Sequence, residues 1–280
     1  MIAQALTIAG SDPSGGAGVQ MDLKVFQAFE IWGWSAITAL TVQTPSGVRG
    51  WEAVAPALVA SQVQASTGGG RIAAAKTGML PTPECVQTVA AALAPAVALV
   101  VDPVLVATAG QALTSGPTVD AMRTHLLPRA LLVTPNADEA TALTGIEVRD
   151  RASQRDAGRA LCDVGVFAAL VTGGHLPGKE VVDVLVDRGG AVEEFVGRRD
   201  AGGEIRGTGC ALSAAVTALI ARDPSGGMAA AVGEARRFVA AAIGRALRIG
   251  DGARVMSLGA RDGAAGLGAE LGASGERARG

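Results

Sequence analysis

The sequence predicts an α/β fold in which a mostly parallel central sheet is covered by helices on both faces, a three-layer α/β/α arrangement. Three observations predict it. Short apolar runs alternate with helical patterns along most of the chain. Hydrophobic residues make up 49% of the chain and the mean hydropathy is positive, as a large core requires. At 280 residues the chain is long enough to bury about three quarters of its unfolded surface without a disulfide staple.

The elements follow in order. The first apolar run is Leu6-Thr7-Ile8-Ala9, closed by Gly10-Ser11-Asp12. A helix is predicted from about Gly18, with Val19, Leu23 and Phe26 on one face. Further strands are predicted at 36–42, 72–75, 97–101, 130–133 and 167–171, separated by helices near 56–66, 83–94, 117–126 and 152–164. Right-handed crossovers then set the carboxyl ends of these strands along one edge. The runs 181–186 and 191–196 flank Asp187-Arg188-Gly189-Gly190 and read as a hairpin, which adds an antiparallel portion. Two amphipathic helices close the fold. One spans 210–221 with Leu212, Val216 and Leu219 inward, the other 228–247 with Val232, Ala235, Val239 and Ile243 on one stripe. Residues 1–256 form a single domain on this reading. The segment 257–280, rich in Gly, Ala, Arg and Glu, reads as a mobile tail.

Composition narrows the function. A net charge of −2 gives no case for nucleic acid or an acidic partner. Aromatics are only 3% of residues and tyrosine is absent, so small residues must dominate helix–sheet packing. Cys85, Cys162 and Cys210 are widely spaced, which points to a reducing cytosol and not to disulfides or zinc. His125 and His175 stand too far apart for a histidine metal site. The amino terminus enters an apolar strand with no basic leader, and no apolar run reaches about 18 residues, so neither a signal peptide nor a membrane span is expected. Lysine occurs only at Lys24, Lys76 and Lys179.

In open parallel sheets, ligands bind outside the strand carboxyl ends. Here those ends carry Ser11-Asp12 opening into Gly15-Gly16-Ala17-Gly18, then Asp102-Pro103, then Thr134-Pro135-Asn136-Ala137-Asp138-Glu139, then Thr172-Gly173-Gly174-His175. Each alone reads as polar turn chemistry. Together on one edge, two of them glycine-rich, they point to a site that handles phosphate. Gly207-Thr208-Gly209-Cys210 stands directly before an amphipathic helix, where exposed N–H groups and the helix dipole favour an anion. A thiol there is expected to be more acidic than a free cysteine. The same motif also reads as a plain glycine-rich helix entry with a buried cysteine. It fits neither the Walker nor the Rossmann pattern. Asn136 and Glu139, three apart at the start of a helical pattern, suit a magnesium ion directly or through its waters. They equally suit a helix N-cap with an acid in the first turn.

The run from Thr7 to Gln20, Thr-Ile-Ala-Gly-Ser-Asp-Pro-Ser-Gly-Gly-Ala-Gly-Val-Gln, continuing to Asp22-Leu23-Lys24, resembles the amino-terminal signature of hydroxymethylpyrimidine (phosphate) kinases. Ser35-Ala36-Ile37-Thr38-Ala39-Leu40-Thr41-Val42-Gln43, Lys76-Thr77-Gly78-Met79-Leu80, Asp102-Pro103-Val104, Thr134-Pro135-Asn136, Gly173-Gly174-His175-Leu176 and Gly207-Thr208-Gly209-Cys210 follow in the order of that family and cover about residues 5–250. The resemblance implies a ribokinase-like fold, a cytoplasmic homodimer, and transfer of the γ-phosphoryl group of ATP, with magnesium, to 4-amino-5-hydroxymethyl-2-methylpyrimidine and then to its monophosphate, in thiamine diphosphate biosynthesis. By position it implies that Asp22 and Gln43 hydrogen-bond the aminopyrimidine and that Gly10, Met79 and Val106 line its pocket. Cys210 takes the place of the base, and the amides of Gly207, Thr208, Gly209 and Cys210 form an anion hole. Lys76, Asp102, Asn136, Thr172 and Arg206 fall on the ATP side, with Asn136 and Glu139 toward magnesium. Three positions depart from the family. Thr172 stands where lysine is usual, Arg206 where histidine is usual, and Gly250-Asp251-Gly252 replaces a Gly-His-Gly. An arginine beside the anion hole is expected to replace the missing lysine charge, unless it is a solvated loop residue. Two rival readings are a pyridoxal kinase, since that activity occurs on the same fold, and a non-catalytic pyrimidine-binding protein.

Overall fold

The computed structural model describes residues 2–44, 47–106, 113–203, 205–250 and 253–259. The reading of 257–280 as a tail falls almost wholly outside them, as do Asp251 and Gly252. The chain begins with strand β1 (Gln4–Ser11), helix α1 (Gly18–Ala28), strands β2 (Trp32–Thr44) and β3 (Gly47–Ala53), and helix α2 (Pro56–Gly69). Strand β4 (Ala74–Thr77), helix α3 (Pro83–Ala92), strand β5 (Ala98–Val101) and helix α4 (Gly116–Ala121) follow. Next come β6 (Leu132–Val133), α5 (Ala137–Thr144), α6 (Arg151–Val164) and β7 (Ala168–Val171). The hairpin of β8 (Glu180–Asp187) and β9 (Val192–Arg198) leads to α7 (Thr208–Arg222), α8 (Met228–Gly244), β10 (Leu247–Ile249) and β11 (Ala253–Val255).

Nine strands form one sheet in the order β3-β2-β1-β4-β5-β6-β7-β8-β9. Neighbours from β2 to β7 pair in parallel, while β3 at one edge and the β8–β9 hairpin at the other are antiparallel. The alternation of side chains along each strand divides the core in two. Leu6 and Ile8 of β1 point to the face covered by α2, α3, α5 and α6, where Val59, Val89 and Leu161 are buried. Ala5, Val100 and Leu132 point to the face covered by α1, α7 and α8. Helix α7 is buried along its whole length from Ala211 to Ala221, with alanine at many of those positions. Small side chains let this helix sit close to the sheet, as the shortage of aromatics demands.

The structure departs from the predicted elements in three places. Residues 47–53, given no element in the sequence reading, form β3 and fold back on β2. Helix α4 ends at Ala121 and continues as a π turn, Met122–Leu126, then a 3-10 turn, Leu127–Arg129. Helix α8 stops at Gly244 instead of reaching 247, because Leu247–Ile249 leaves the helix to pair with Ala253–Val255. Gly250 takes φ +53°, a left-handed conformation that glycine adopts without strain, at the turn between them.

Candidate active site

The parallel strands deliver Asp12, Lys76, Asp102, Thr134 and Thr172 to one edge of the sheet, at or just beyond the carboxyl ends of β1, β4, β5, β6 and β7. Asp12 shapes the first loop. Its carboxylate accepts from the backbone N–H of Ser14 at 2.8 Å and of Ala17 at 2.9 Å, which turns the chain into α1. Glycine is required where this loop meets its neighbours. A Cβ on Gly18 would lie 2.3 Å from the carbonyl oxygen of Gly10, and one on Gly207 would lie 2.0 Å from that of Gly16. Both residues also have positive φ, +58° and +75°. The two glycine-rich segments therefore lie against each other, and the amino-terminal ends of α1 and α7 converge.

Cys210 lies in the first turn of α7, at that convergence, and the backbone N–H of Gly18 donates toward its sulfur. The expectation of an acidic thiol is overturned. Burial pushes the Cys210 thiol up to about 12; Lys76 pulls it down, and Asp102 and Asp22 push it up further. Loss of hydration outweighs the helix terminus, so the resting group is the neutral thiol.

Lys76 sits at the floor of the crevice with no exposed surface. Its ammonium donates to Asp22 Oδ1 at 2.7 Å and lies 3.5 Å from Asp102 Oδ2. Burial alone would lower its proton affinity, but the charges of Asp22 and Asp102 overcome that and hold it protonated. Asp22 is likewise fully buried, and its second oxygen accepts from Thr7 Oγ1 at 2.6 Å. Lys76 is thus held by two carboxylates with no exposed surface, and Asp22 has both oxygens engaged by protein groups. Asp102 Oδ2 also accepts from Ser213 Oγ at 2.9 Å, one helical turn after Cys210.

Of the residues expected to line the substrate pocket, Gly10 and Met79 are brought together, since a Cβ on Gly10 would lie 3.2 Å from the Met79 sulfur. Thr38 Oγ1 fixes this strand end by donating to Met79 O at 2.6 Å. Val106 is 48% exposed at the last described position before 107–112. Arg206 is not a solvated loop residue. It is 9% exposed, and its guanidinium donates to Gln43 Oε1 at 2.7 Å and to Thr44 O at 2.6 Å.

On the opposite side Asn136 and Glu139 form a capping box at the start of α5. Asn136 Oδ1 accepts from Glu139 N at 3.0 Å, and Glu139 Oε2 accepts from Asn136 N at 2.9 Å. Of the two roles the sequence allowed, the cap is the one present in the geometry. Glu139 is nevertheless unusual. Burial pushes its carboxyl up to about 8, and the charge of Asp102 raises it further, against the hydrogen bonds from Asn136 and Leu105. Thr172 bridges Asn136 in parallel and donates from its backbone N–H to Pro135 O at 2.8 Å. The glycines after it are held from outside. Asp183 Oδ1 accepts from Gly173 N at 2.8 Å while Oδ2 pairs with Arg236 Nε at 2.6 Å. Arg199 donates to the carbonyls of Gly174, Leu176 and Gly178.

Thr7, Ser213, Asp183, Arg199 and Arg236 escaped the sequence reading. For Asp183 the signal was a carboxylate interrupting the apolar run of β8. For Ser213 it was a hydroxyl on the same face of α7 as the motif cysteine. Among the described residues no group of three or more His, Cys, Asp or Glu forms a metal cluster, and no helix is long and apolar enough to cross a membrane.

The site has counterparts in known proteins. A hydroxymethylpyrimidine/phosphomethylpyrimidine kinase of Rhizobium meliloti is 41% identical over 256 residues, covering 90% of this chain and 95% of that protein. A thiamine biosynthesis bifunctional protein of Geobacter sulfurreducens is 40% identical over 250 residues, 88% of this chain, which spans only 50% of that longer protein. Among solved structures, the pyridoxal kinase from Staphylococcus aureus in complex with AMP-PCP and pyridoxal has a TM-score of 0.85 at 29% identity, over 94% of this chain and 96% of that one. The phosphomethylpyrimidine kinase from Clostridium difficile has a TM-score of 0.75 at 33% identity, over 86% and 99%. The ribokinase-like sheet thus recurs in solved relatives that match over most of both chains. Residues 12–257 match the phosphomethylpyrimidine kinase family as a whole, and the chain belongs to that family.

Proposed function

We propose that this protein transfers the γ-phosphoryl group of ATP to the hydroxymethyl group of 4-amino-5-hydroxymethyl-2-methylpyrimidine, and then phosphorylates the monophosphate to the diphosphate. The observation that carries this reading is Cys210 at the meeting of two helix amino termini, in a chain about 40% identical to kinases named for that substrate. Phosphoryl transfer asks chiefly for alignment and charge neutralisation. The first-turn amides of Gly207, Thr208, Gly209 and Cys210, with the dipoles of α1 and α7, face the transferring phosphate. Cys210 Sγ takes the proton of the acceptor hydroxyl. The sulfur first gives up its own proton to solvent, and Lys76 is the cation that stabilises the resulting thiolate.

The donor set suits a divalent cation beside Asp102 and Glu139. Two buried carboxylates repel each other there, and the raised proton affinity of Glu139 is what a cation would relieve. Asn136 contributes less, because its Oδ1 already accepts from Glu139 N. Magnesium, when bound, neutralises phosphate and carboxylate charge. Asn136 and Thr172 would face the nucleotide. Leu40 and Val42, on one face of β2, are 55% and 61% exposed, and they support a second copy of the chain as partner in a homodimer. The three cysteines are free, in keeping with a reducing cytoplasm.

A second reading, pyridoxal kinase, is favoured by the higher TM-score to the S. aureus enzyme. Incubation with ATP, magnesium and either alcohol, followed by mass spectrometry, separates them. The aminopyrimidine is expected to appear first as monophosphate and then as diphosphate. Phosphorylated pyridoxal with unchanged aminopyrimidine would reverse the assignment.

A further inference from the structure

We infer that Arg206 is a positioning residue for substrate recognition: it pins the end of β2 to the start of α7 and fixes the side-chain amide of Gln43, so that Gln43 offers a donor to a ring bearing an acceptor nitrogen. The inference rests on the aminopyrimidine reading for the identity of that ring, but its geometric part does not.

A guanidinium only donates. The Gln43 atom 2.7 Å from Arg206 Nη2 is therefore the amide oxygen, which assigns the orientation of an otherwise ambiguous group. The amide nitrogen of Gln43 makes no hydrogen bond to another described residue. Its two N–H groups are left for a ligand. A second bond from the same guanidinium, to Thr44 O at 2.6 Å, prevents Arg206 from swinging with Gln43. The cation is 9% exposed, so water competes weakly for it, and charge-assisted bonds of this kind are the strong ones.

Position gives the pin its consequence. Arg206 directly precedes Gly207, whose contact with Gly16 joins the anion site to the first loop. Its partners lie at the end of the strand that also carries Ala39, which packs with Met79. Gln43 also sits where β2 and β3 slip register, between Val42 and Gln43, so the ladder alone does not set its direction. Arg206 supplies that direction from across the crevice, and it ties the ring pocket to the phosphate pocket. An arginine bound to a phosphate would act on ATP. One bound to Gln43 acts on the alcohol.

Two measurements test this. In the unliganded protein with labelled glutamine, the Gln43 side-chain amide should show two separate, shifted proton resonances. These should move toward free-glutamine values in Arg206→Ala, and partly so in Arg206→Lys. Unchanged Gln43 resonances in a folded Arg206→Ala variant would overturn the pin whatever the substrate is. In kinetics, Arg206→Ala should raise the KM of the aminopyrimidine about tenfold or more, the scale of one charge-assisted hydrogen bond, with the KM of ATP within about twofold. In a Gln43→Leu background the same substitution should add almost nothing to the pyrimidine KM, because the two act as one unit. Gln43→Glu keeps an acceptor for Arg206 but loses the donor. It should keep its melting temperature and lose pyrimidine affinity. A rise in the KM of ATP with the pyrimidine KM unchanged would return Arg206 to the phosphate and overturn the inference. Wild-type enzyme inert toward the pyrimidine would instead defeat the assigned function, and the amide resonances would still decide the pin.

Discussion

Lys76 carries a full positive charge into a place that water does not reach, and it stays there because Asp22 and Asp102 share it. Removing one partner of a buried ion pair leaves the others uncompensated, so Lys76→Met should lower stability by about 3–5 kcal/mol in urea unfolding. A loss below about 1 kcal/mol would mean the cluster is hydrated. Cys210→Ala touches none of these ion pairs. It should keep its melting temperature and lose about 10²-fold or more in turnover, the scale of a lost catalytic base. Near-normal turnover would take the base role away from the sulfur. Glu139 makes a prediction about pH. Its folded value near 8 lies above the ordinary 4.5, so the folded state holds a proton that the unfolded state has lost. Without metal, stability should therefore fall as pH rises from about 4.5 to 8, by up to on the order of 5 kcal/mol at about 1.4 kcal/mol per unit, and Glu139→Gln should flatten that slope. A wild-type profile as flat as that of the glutamine variant would refute the shift. At this scale the sequence revealed which residues gather but not which of them touch. Cys210, Asp102 and Gln43 were legible as motif members. That Lys76 would face Asp22, or Arg206 face Gln43, depends on crossings of the chain that no local pattern encodes.

The crevice works because two helix starts meet where only glycine fits. Gly207→Ala would set a Cβ 2.0 Å from Gly16 O at a φ of +75°, so the loop or the helix start must move. The expected result is loss of most activity, with a fall in stability of about 1–3 kcal/mol from the strained conformation alone. An alanine variant with both properties intact would show that the two segments do not touch. Helix starts were the most legible elements, because glycine, proline and capping residues mark them locally. Both α1 and α8 begin at the predicted residues, Gly18 and Met228. Strand β3 was missed because Gly47–Ala53 has no sustained alternation of its own, and its pairing with β2 creates its extended form. The early end of α8 was missed for a similar reason. Ala242 and Ile243 continue the apolar stripe, but pairing between β10 and β11 takes over the backbone beyond Arg245.

At the scale of the molecule, the sheet order and the single carboxyl edge follow from the β-then-α alternation and the handedness of crossovers, which is why the fold class was readable before any contact was known. Substrate choice was not readable in the same way. Solved relatives of this fold include a pyridoxal kinase in complex with pyridoxal and a phosphomethylpyrimidine kinase, and on the proposed reading the choice depends on a few groups around Gln43, Met79 and the end of β2. A site built to hydrogen-bond one ring rejects another that leaves its buried groups unpaired, often by several orders of magnitude. The most direct test of the account is therefore the ratio of kcat/KM for 4-amino-5-hydroxymethyl-2-methylpyrimidine to that for pyridoxal, measured by ADP release at saturating ATP and magnesium. The account predicts a ratio of at least about 10², lowered by Gln43→Leu, as expected when one buried hydrogen-bonding group discriminates between substrates. A ratio at or below one in the wild-type enzyme would contradict it.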